Sequence, residues 1–207
     1  LEQRPILEGD RLAARQRLGL DEGAECLQLA TFGYVDLRTK QVDTVLEAAG
    51  WLTSWGHQVA FHVVGSAHPE VRGTLERRAS ELGLRGFSIT GYQDEARYRD
   101  WLVGVDMGIQ LRISPLLGVS GPLADLAVAG TPAVASAGLC ADVGVPAFIT
   151  PLPDSVSPVT LAQAILAARD SHAQESHLLE QRESYLSQHA PARYAEQLLR
   201  VLQEVAA

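Results

Sequence analysis

Lysine is nearly absent from this chain: of its 17 basic side chains, 16 are arginine and one, Lys40, is lysine. The bases are outnumbered by 25 acids, for a net charge of −8. Without a basic stripe a surface cannot neutralise phosphates along a strand, which argues against a nucleic-acid partner. Cysteine is scarce as well. Cys26 and Cys140 lie far apart and form no metal-ligand pattern, so two reduced thiols in a cytoplasmic protein are expected. No apolar run approaches the roughly 20 residues of a membrane-crossing helix. The six histidines (His57, His62, His68, His172, His177 and His189) show no metal spacing, so core or surface roles and no metal site are expected. Trp51, Trp55 and Trp101 are expected to pack against a sheet or its edges. The chain opens Leu1-Glu2-Gln3 without an initiator methionine or the basic-then-apolar start of a signal peptide, as expected for a piece of a longer protein.

What is there is an alternation. The 207 residues are 46% hydrophobic and 20% charged, ordinary for a globular chain able to bury a core. A short helix is read over Leu12–Leu18, stopped by Gly19. Buried strands are read over Cys26–Phe32, Val59–Val64, Phe87–Thr90 and Met107–Leu111, with shorter ones at Ala133–Ala135 and Ala147–Ile149. Between them, helices are read over Gln41–Trp55, Val71–Leu82, Glu95–Val103 and Ser120–Val128. Strands separated by such helices indicate βαβ units and a parallel sheet covered on both faces. After Pro158 the pattern is wholly helical, through Leu161–Arg169, Leu178–Ser187 and Ala192–Val205. The expected architecture is α/β: a Rossmann-like, doubly wound parallel sheet over residues 1–170, with carboxy-terminal helices over 171–207 packing on it.

In such sheets ligands sit at the carboxyl ends of the strands, near a switch in strand order. The residues there are Gly33, Tyr34 and Lys40; Gly65 and Ser66; Thr90, Gly91 and Tyr92; and the stretch from Leu111 to Gly121. Gly118-Val119-Ser120-Gly121 opens a helix, whose amino terminus offers N–H groups to an anion such as a diphosphate. Asp125, two turns below Gly118 if both are helical, brings a carboxylate that can accept hydrogen bonds from a ribose diol. Lys40 can supply a point charge for phosphates, a reason for the one retained lysine. Each has a plainer reading: a turn and cap for the glycines, an exposed helix position for Asp125, a solvated loop for Lys40. Pattern alone reaches a ligand-binding α/β domain.

The order of landmarks resembles the carboxy-terminal domain of group 1 (family 4) glycosyltransferases of the GT-B fold. Phe32-Gly33-Tyr34 and Lys40-Gln41-Val42-Asp43 are similar to that family's first strand, glycine loop and lysine segment. His62-Val63-Val64-Gly65 resembles its next strand end, Ile89-Thr90-Gly91-Tyr92-Gln93-Asp94 the turn that follows, and Gly104-Val105-Asp106 the segment before its fourth strand. Leu111-Arg112 through Ala129-Gly130-Thr131-Pro132-Ala133-Val134 looks like the segment holding its acidic motif, and His189-Ala190-Pro191 with Tyr194-Ala195 looks like its last helices. The resemblance implies a nucleotide diphosphate-sugar as substrate, with no cofactor and no metal, and retaining transfer in bacterial polysaccharide or glycoconjugate synthesis. It implies that Lys40 meets phosphate, that Thr90-Gly91-Tyr92 holds the base through its backbone, that Gly118 to Gly121 meets the diphosphate, and that Asp125 grips ribose. An amino-terminal acceptor domain is then the missing partner, and any peripheral membrane contact would run through it. The fragment alone is expected to be inactive.

There are two departures. The family's acidic motif is a pair of acids separated by seven residues; Asp125 falls on the second, Leu117 stands where the first belongs, and Tyr34 follows Gly33 where the family has an arginine that Arg38 could replace. Three readings follow: an active transferase with an altered hold on the sugar, a catalytically silent GT-B-like subunit that binds nucleotide or a protein partner, and another nucleotide-binding α/β class.

Overall fold

In the computed structural model, residues 8–20, 26–35, 37, 39–113, 119–171 and 175–206 are described. Six strands form one sheet: β1 (Cys26–Phe32), β2 (Gln58–Val64), β3 (Gly86–Ile89), β4 (Met107–Gln110), β5 (Ala133–Ser136) and β6 (Ile149–Leu152). Their spatial order is β3-β2-β1-β4-β5-β6 and every pairing is parallel. This is the doubly wound Rossmann-like order. The order reverses between β1 and β4, where Leu29 pairs Met107 and Ala30 pairs Gly108. The connections run in opposite directions from that seam, opening a crevice at its carboxyl end.

The helices are α1 (Glu8–Leu18), α2 (Val42–Ser54), α3 (Pro69–Glu81), α4 (Glu95–Gly104), α5 (Gly121–Ala129), α6 (Ala137–Val143), α7 (Pro158–Ser171), α8 (Glu175–Gln188) and α9 (Pro191–Ala206). Because strand side chains alternate, the sheet feeds two cores. Leu29, Phe61, Val63, Ile109 and Val134 meet α2, α3 and α7, through residues such as Leu46, Leu52, Leu75 and Ile165. Ala30, Phe32, Ala133 and Ala135 meet the other layer, through Leu102 of α4, Leu123 and Leu126 of α5, and Tyr185 of α8.

Several helix ends differ from the sequence reading, α1 starting a turn earlier at Glu8, and four departures bear on the architecture or the site. Ala147 and Phe148 form a turn, closed by Ile149 N–H donating to Pro146 O at 3.0 Å, and β6 starts one residue later. Phe148 is apolar because it is a fully buried plug, not because it is a strand residue. The seven-residue α6, unread in the sequence, fits between β5 and β6 and ends on Gly144 in the left-handed region (φ 63°). Trp101 is buried, but Trp51 of α2 and Trp55, which caps that helix, are exposed and meet each other at a tilt, with centroids 6.2 Å apart. Finally, α5 begins at Gly121, with Ser120 as its cap in extended backbone rather than as its first helical residue.

At the amino ends of the strands, polar groups close on one another. Asp106 accepts from Arg15 Nη2 at 2.6 Å and from the Gln28 N–H at 2.8 Å, while Arg15 Nε donates to Gly104 O at 2.8 Å. Nearby, a ladder crosses three strands: the Gln28 side-chain oxygen lies 2.9 Å from His62 Nε2, and His62 Nδ1 lies 2.8 Å from Ser88 Oγ. Burial lowers the His62 pKa to about 4, so the ring is neutral, with Nε2 donating to Gln28. In the carboxy-terminal helices, Arg182 of α8 donates to Val128 O at 2.6 Å. By contrast, α9 turns Tyr194, Leu198, Leu199, Val201 and Leu202 outward.

Candidate functional site

At the carboxyl end of β1 the chain turns on Gly33, whose φ of 97° lies in the left-handed region that glycine tolerates. A side chain on Gly33 would also displace the flexible end of Lys40, whose ammonium lies 2.8 Å from the place of that missing Cβ. Lys40 Nζ donates to Phe32 O at 3.3 Å, which lays the cation along the strand end. Pro122, in the first turn of α5, is 3.9 Å from the same missing Cβ. Gly33, Lys40 and the start of α5 therefore come together beside the switch point.

The glycine edge continues across the sheet. Gly33 N–H donates to Val64 O at 2.9 Å, and Gly91 N–H to Gly65 O at 3.0 Å. A Cβ on Gly65 would stand 2.1 Å from Gly33 O, so these two turns touch backbone to backbone. Thr90 N–H donates to Val63 O at 2.9 Å, and Gly91 turns in the left-handed region (φ 76°), leaving Tyr92 almost wholly exposed. Thr90, Gly91 and Tyr92 thus form the outer wall of the same edge, two strands from Lys40.

On the other side, Ser120 caps α5. Its hydroxyl accepts from Leu123 N–H at 3.4 Å, and its carbonyl accepts from Ala124 N–H at 3.0 Å. Pro122 has no N–H, so the first turn offers an anion mainly the Gly121 N–H, with Val119 exposed before it. The helix terminus is therefore a narrower donor than an uncapped one. Gly118 lies outside the described residues, as do Leu117 and Arg38.

Asp125, on the second turn of α5, accepts from Tyr98 Oη of α4 at 2.9 Å. Burial pushes its pKa above the usual carboxylate range, and the Tyr98 hydrogen bond opposes that shift. Burial and the Asp125 charge in turn push the Tyr98 phenol up. Tyr98 also meets Phe32 edge-on, with centroids 5.7 Å apart, which ties the carboxylate to the end of β1. Asp125 is half-buried and oriented, unlike an exposed helix position.

Three residues of this region are assigned no role from the sequence. Gln41, next to Lys40, is the sole described non-glycine residue with positive φ (47°), and it is buried. Its Nε2 donates to Asp154 O at 2.7 Å. A left-handed glutamine costs on the order of 1–3 kcal/mol and persists only where its surroundings hold it. Gln110 ends β4 as a buried side chain whose Nε2 has no hydrogen-bond partner among the described residues. Tyr98 is the third. Among the described residues, no three His, Cys, Asp or Glu side chains gather to hold a metal ion, and no helix is long and apolar enough to cross a membrane.

Strand order, glycine edge and flanking helices together define a Rossmann-like, doubly wound domain. Solved structures of glycosyltransferases share this fold. Over 96% of this chain and 53% of the other, the fold matches HepE from Anabaena, crystallised with UDP and glucose, with a TM-score of 0.73 and 18% identity. WaaG, a glycosyltransferase involved in lipopolysaccharide biosynthesis, matches over 92% of this chain and 50% of its own, with a TM-score of 0.71 and 20% identity. The isolated carboxy-terminal domain of LpcC, a group 1 family glycosyltransferase from Francisella tularensis, is covered over 95% of its length and 90% of this chain, with a TM-score of 0.71 and 16% identity. At these identities the likeness is one of fold. The chain spans about half the length of HepE and WaaG. No family model matches it, and no curated protein matches it in sequence.

Proposed function

We propose that this chain is the donor-binding half of a glycosyltransferase, holding a nucleotide diphosphate-sugar at the carboxyl ends of β1 and β4 for retaining transfer. The observation that carries this reading is the meeting of Gly33, Lys40 and the first turn of α5 at the switch point. A cation, a glycine that lets a ligand approach the backbone, and a helix amino terminus form a diphosphate cradle. HepE, of the same fold, was crystallised with UDP, with UDP-glucose, and with UDP and glucose.

In this reading Lys40 and the α5 terminus neutralise the charge that grows on the diphosphate as the sugar bond breaks, an electrostatic contribution that needs no metal ion. Asp125, oriented by Tyr98, has its second oxygen for the ribose hydroxyls. The base lies against the backbone of Thr90, Gly91 and Tyr92. The acceptor is brought by a second domain across the crevice. Leu117, in the place of an acid, favours a second reading, a catalytically silent subunit that retains the nucleotide site, because leucine makes no hydrogen bond to a sugar hydroxyl.

Calorimetric titration with UDP, GDP and ADP and their sugar conjugates tests the donor site. Saturable binding of one base is expected. Lys40→Ala should weaken it about 10- to 100-fold, the scale of a lost hydrogen bond to a charged group, and Asp125→Ala about tenfold. Absence of binding to all three by the folded chain sinks the donor-site reading. Equal affinity for the nucleoside diphosphate and every sugar conjugate favours the silent subunit.

A further inference from the structure

Lys40 sits between two long-range anchors. On one side Thr39 O accepts from Ile113 N–H at 2.8 Å, which ties the β1–α2 loop to the end of β4. On the other, the buried Gln41 side chain donates to Asp154 O at 2.7 Å, reaching 113 positions along the chain to the loop after β6. Asp154 is itself fixed, since its carboxylate accepts from Gly138 N–H of α6 at 3.1 Å. Gln41 adopts φ 47° and ψ 37°, where glycine would be unstrained. An amide side chain kept there at a conformational cost needs a return that glycine cannot give, and the bond to Asp154 is the feature glycine would lose.

From this we infer that Gln41 is a positioning residue for the diphosphate: by clamping the β1–α2 loop to Asp154 it fixes the Lys40 ammonium against Gly33. The inference rests on the donor-site reading and goes beyond it. Affinity for the phosphates then depends on a side chain that never touches them, and the clamp couples the far edge of the sheet at β6 to the cation beside β1. Removing the clamp leaves Lys40 in place in the sequence but lets its backbone sample more orientations, so the ammonium meets the phosphates at an entropic cost.

The test uses the whole chain, with the best-binding of UDP, GDP and ADP as one probe and its free nucleoside as the other. Gln41→Gly relieves the left-handed strain, so its Tm should equal or exceed that of the parent. Its diphosphate affinity should nonetheless fall about tenfold, while nucleoside affinity holds, because the base and ribose contacts lie elsewhere. In Lys40→Ala the same substitution should cost nothing further, since the two residues act through one contact. Gln41→Asn, which tolerates the left-handed region but falls one methylene short of Asp154, should behave like the glycine variant and serves if that one folds poorly. Parental diphosphate affinity in both Gln41 variants, with Lys40→Ala still impaired, would overturn the positioning role and leave the donor site standing. An equal loss for nucleoside and diphosphate would mark a structural residue only and would also overturn it. If the parent binds none of the three diphosphates, the donor-site reading fails and this inference with it.

Discussion

The two ends of this sheet use the same parts differently. At the amino end, Asp106 is enclosed by Arg15 and the Gln28 backbone, and Gln28, His62 and Ser88 hold one another. At the carboxyl end a cation lies against a glycine, the Gln110 amide nitrogen that ends β4 has no partner among the described residues, and a carboxylate has one of its oxygens engaged by Tyr98. Charge buried among its own partners supports the fold; charge held in place beside open backbone can serve a ligand. Asp106 and Asp125 are both aspartates tied to neighbouring elements, and the partner makes the difference. Arg15 neutralises the first, whereas a neutral phenol merely orients the second.

Breaking each end should therefore give different signatures. The largest effect is expected from Gly65→Ala, which drives a methyl into the Gly33 carbonyl. Urea denaturation should show a loss of about 3 kcal/mol or more, as for a severe overpacking that cannot relax into a flexible side chain. Asp106→Ala should cost about 3 kcal/mol by stranding a buried arginine, yet leave nucleotide affinity unchanged once the chain is folded. A change in affinity would dissolve the division between the two ends.

Next comes acid. The His62 pKa is lowered in the fold to about 4, against an ordinary value of 6.5. The unfolded chain therefore binds more protons between those pH values. The stability from neutral His62 is present above pH 6.5 and is lost as pH falls toward 4, on the order of 3 kcal/mol in all. A His62→Gln variant should be less stable at neutral pH and should show a flatter acid limb over that window. The smallest effect is expected at Asp125, whose pKa is raised by burial. Its contribution is most favourable in acid below the unfolded value and declines as pH rises through the raised one. Asp125→Asn should thus raise Tm slightly at pH 7 and match the parent below about pH 4, while losing nucleotide affinity at both.

The frame of the fold was legible because its signals are local. Cys26–Phe32 is a closed apolar run, and the structure gives the same limits. Glycines mark most strand exits, and the helices between them show one apolar face. The residues now grouped at the crevice, Gly33, Lys40 and Gly121, were also readable, since they follow strands or open a helix. What escaped was made by distance. No pattern around Gln41 announces a partner at Asp154, and Tyr98 reaches Asp125 only because α4 and α5 pack side by side. Seven residues of α6 are too few to show a period. Phe148 looked like strand because burial, not backbone pairing, made it apolar. Trp51 and Trp55 misled in the opposite sense, since an aromatic pair one turn apart usually faces a core and here faces outward.

The scarcity of lysine has a practical consequence. Apart from the chain's terminal amine, Lys40 carries the sole primary amine in the molecule, and it lies at the crevice against Gly33. An acylating or reductively methylating reagent would therefore mark one side chain in a protein of 207 residues. Isotopically labelled methyl groups introduced there would give one side-chain resonance, distinct from that of the methylated terminal amine, placed by chemistry beside the cleft, from which occupancy could be followed without substituting any residue.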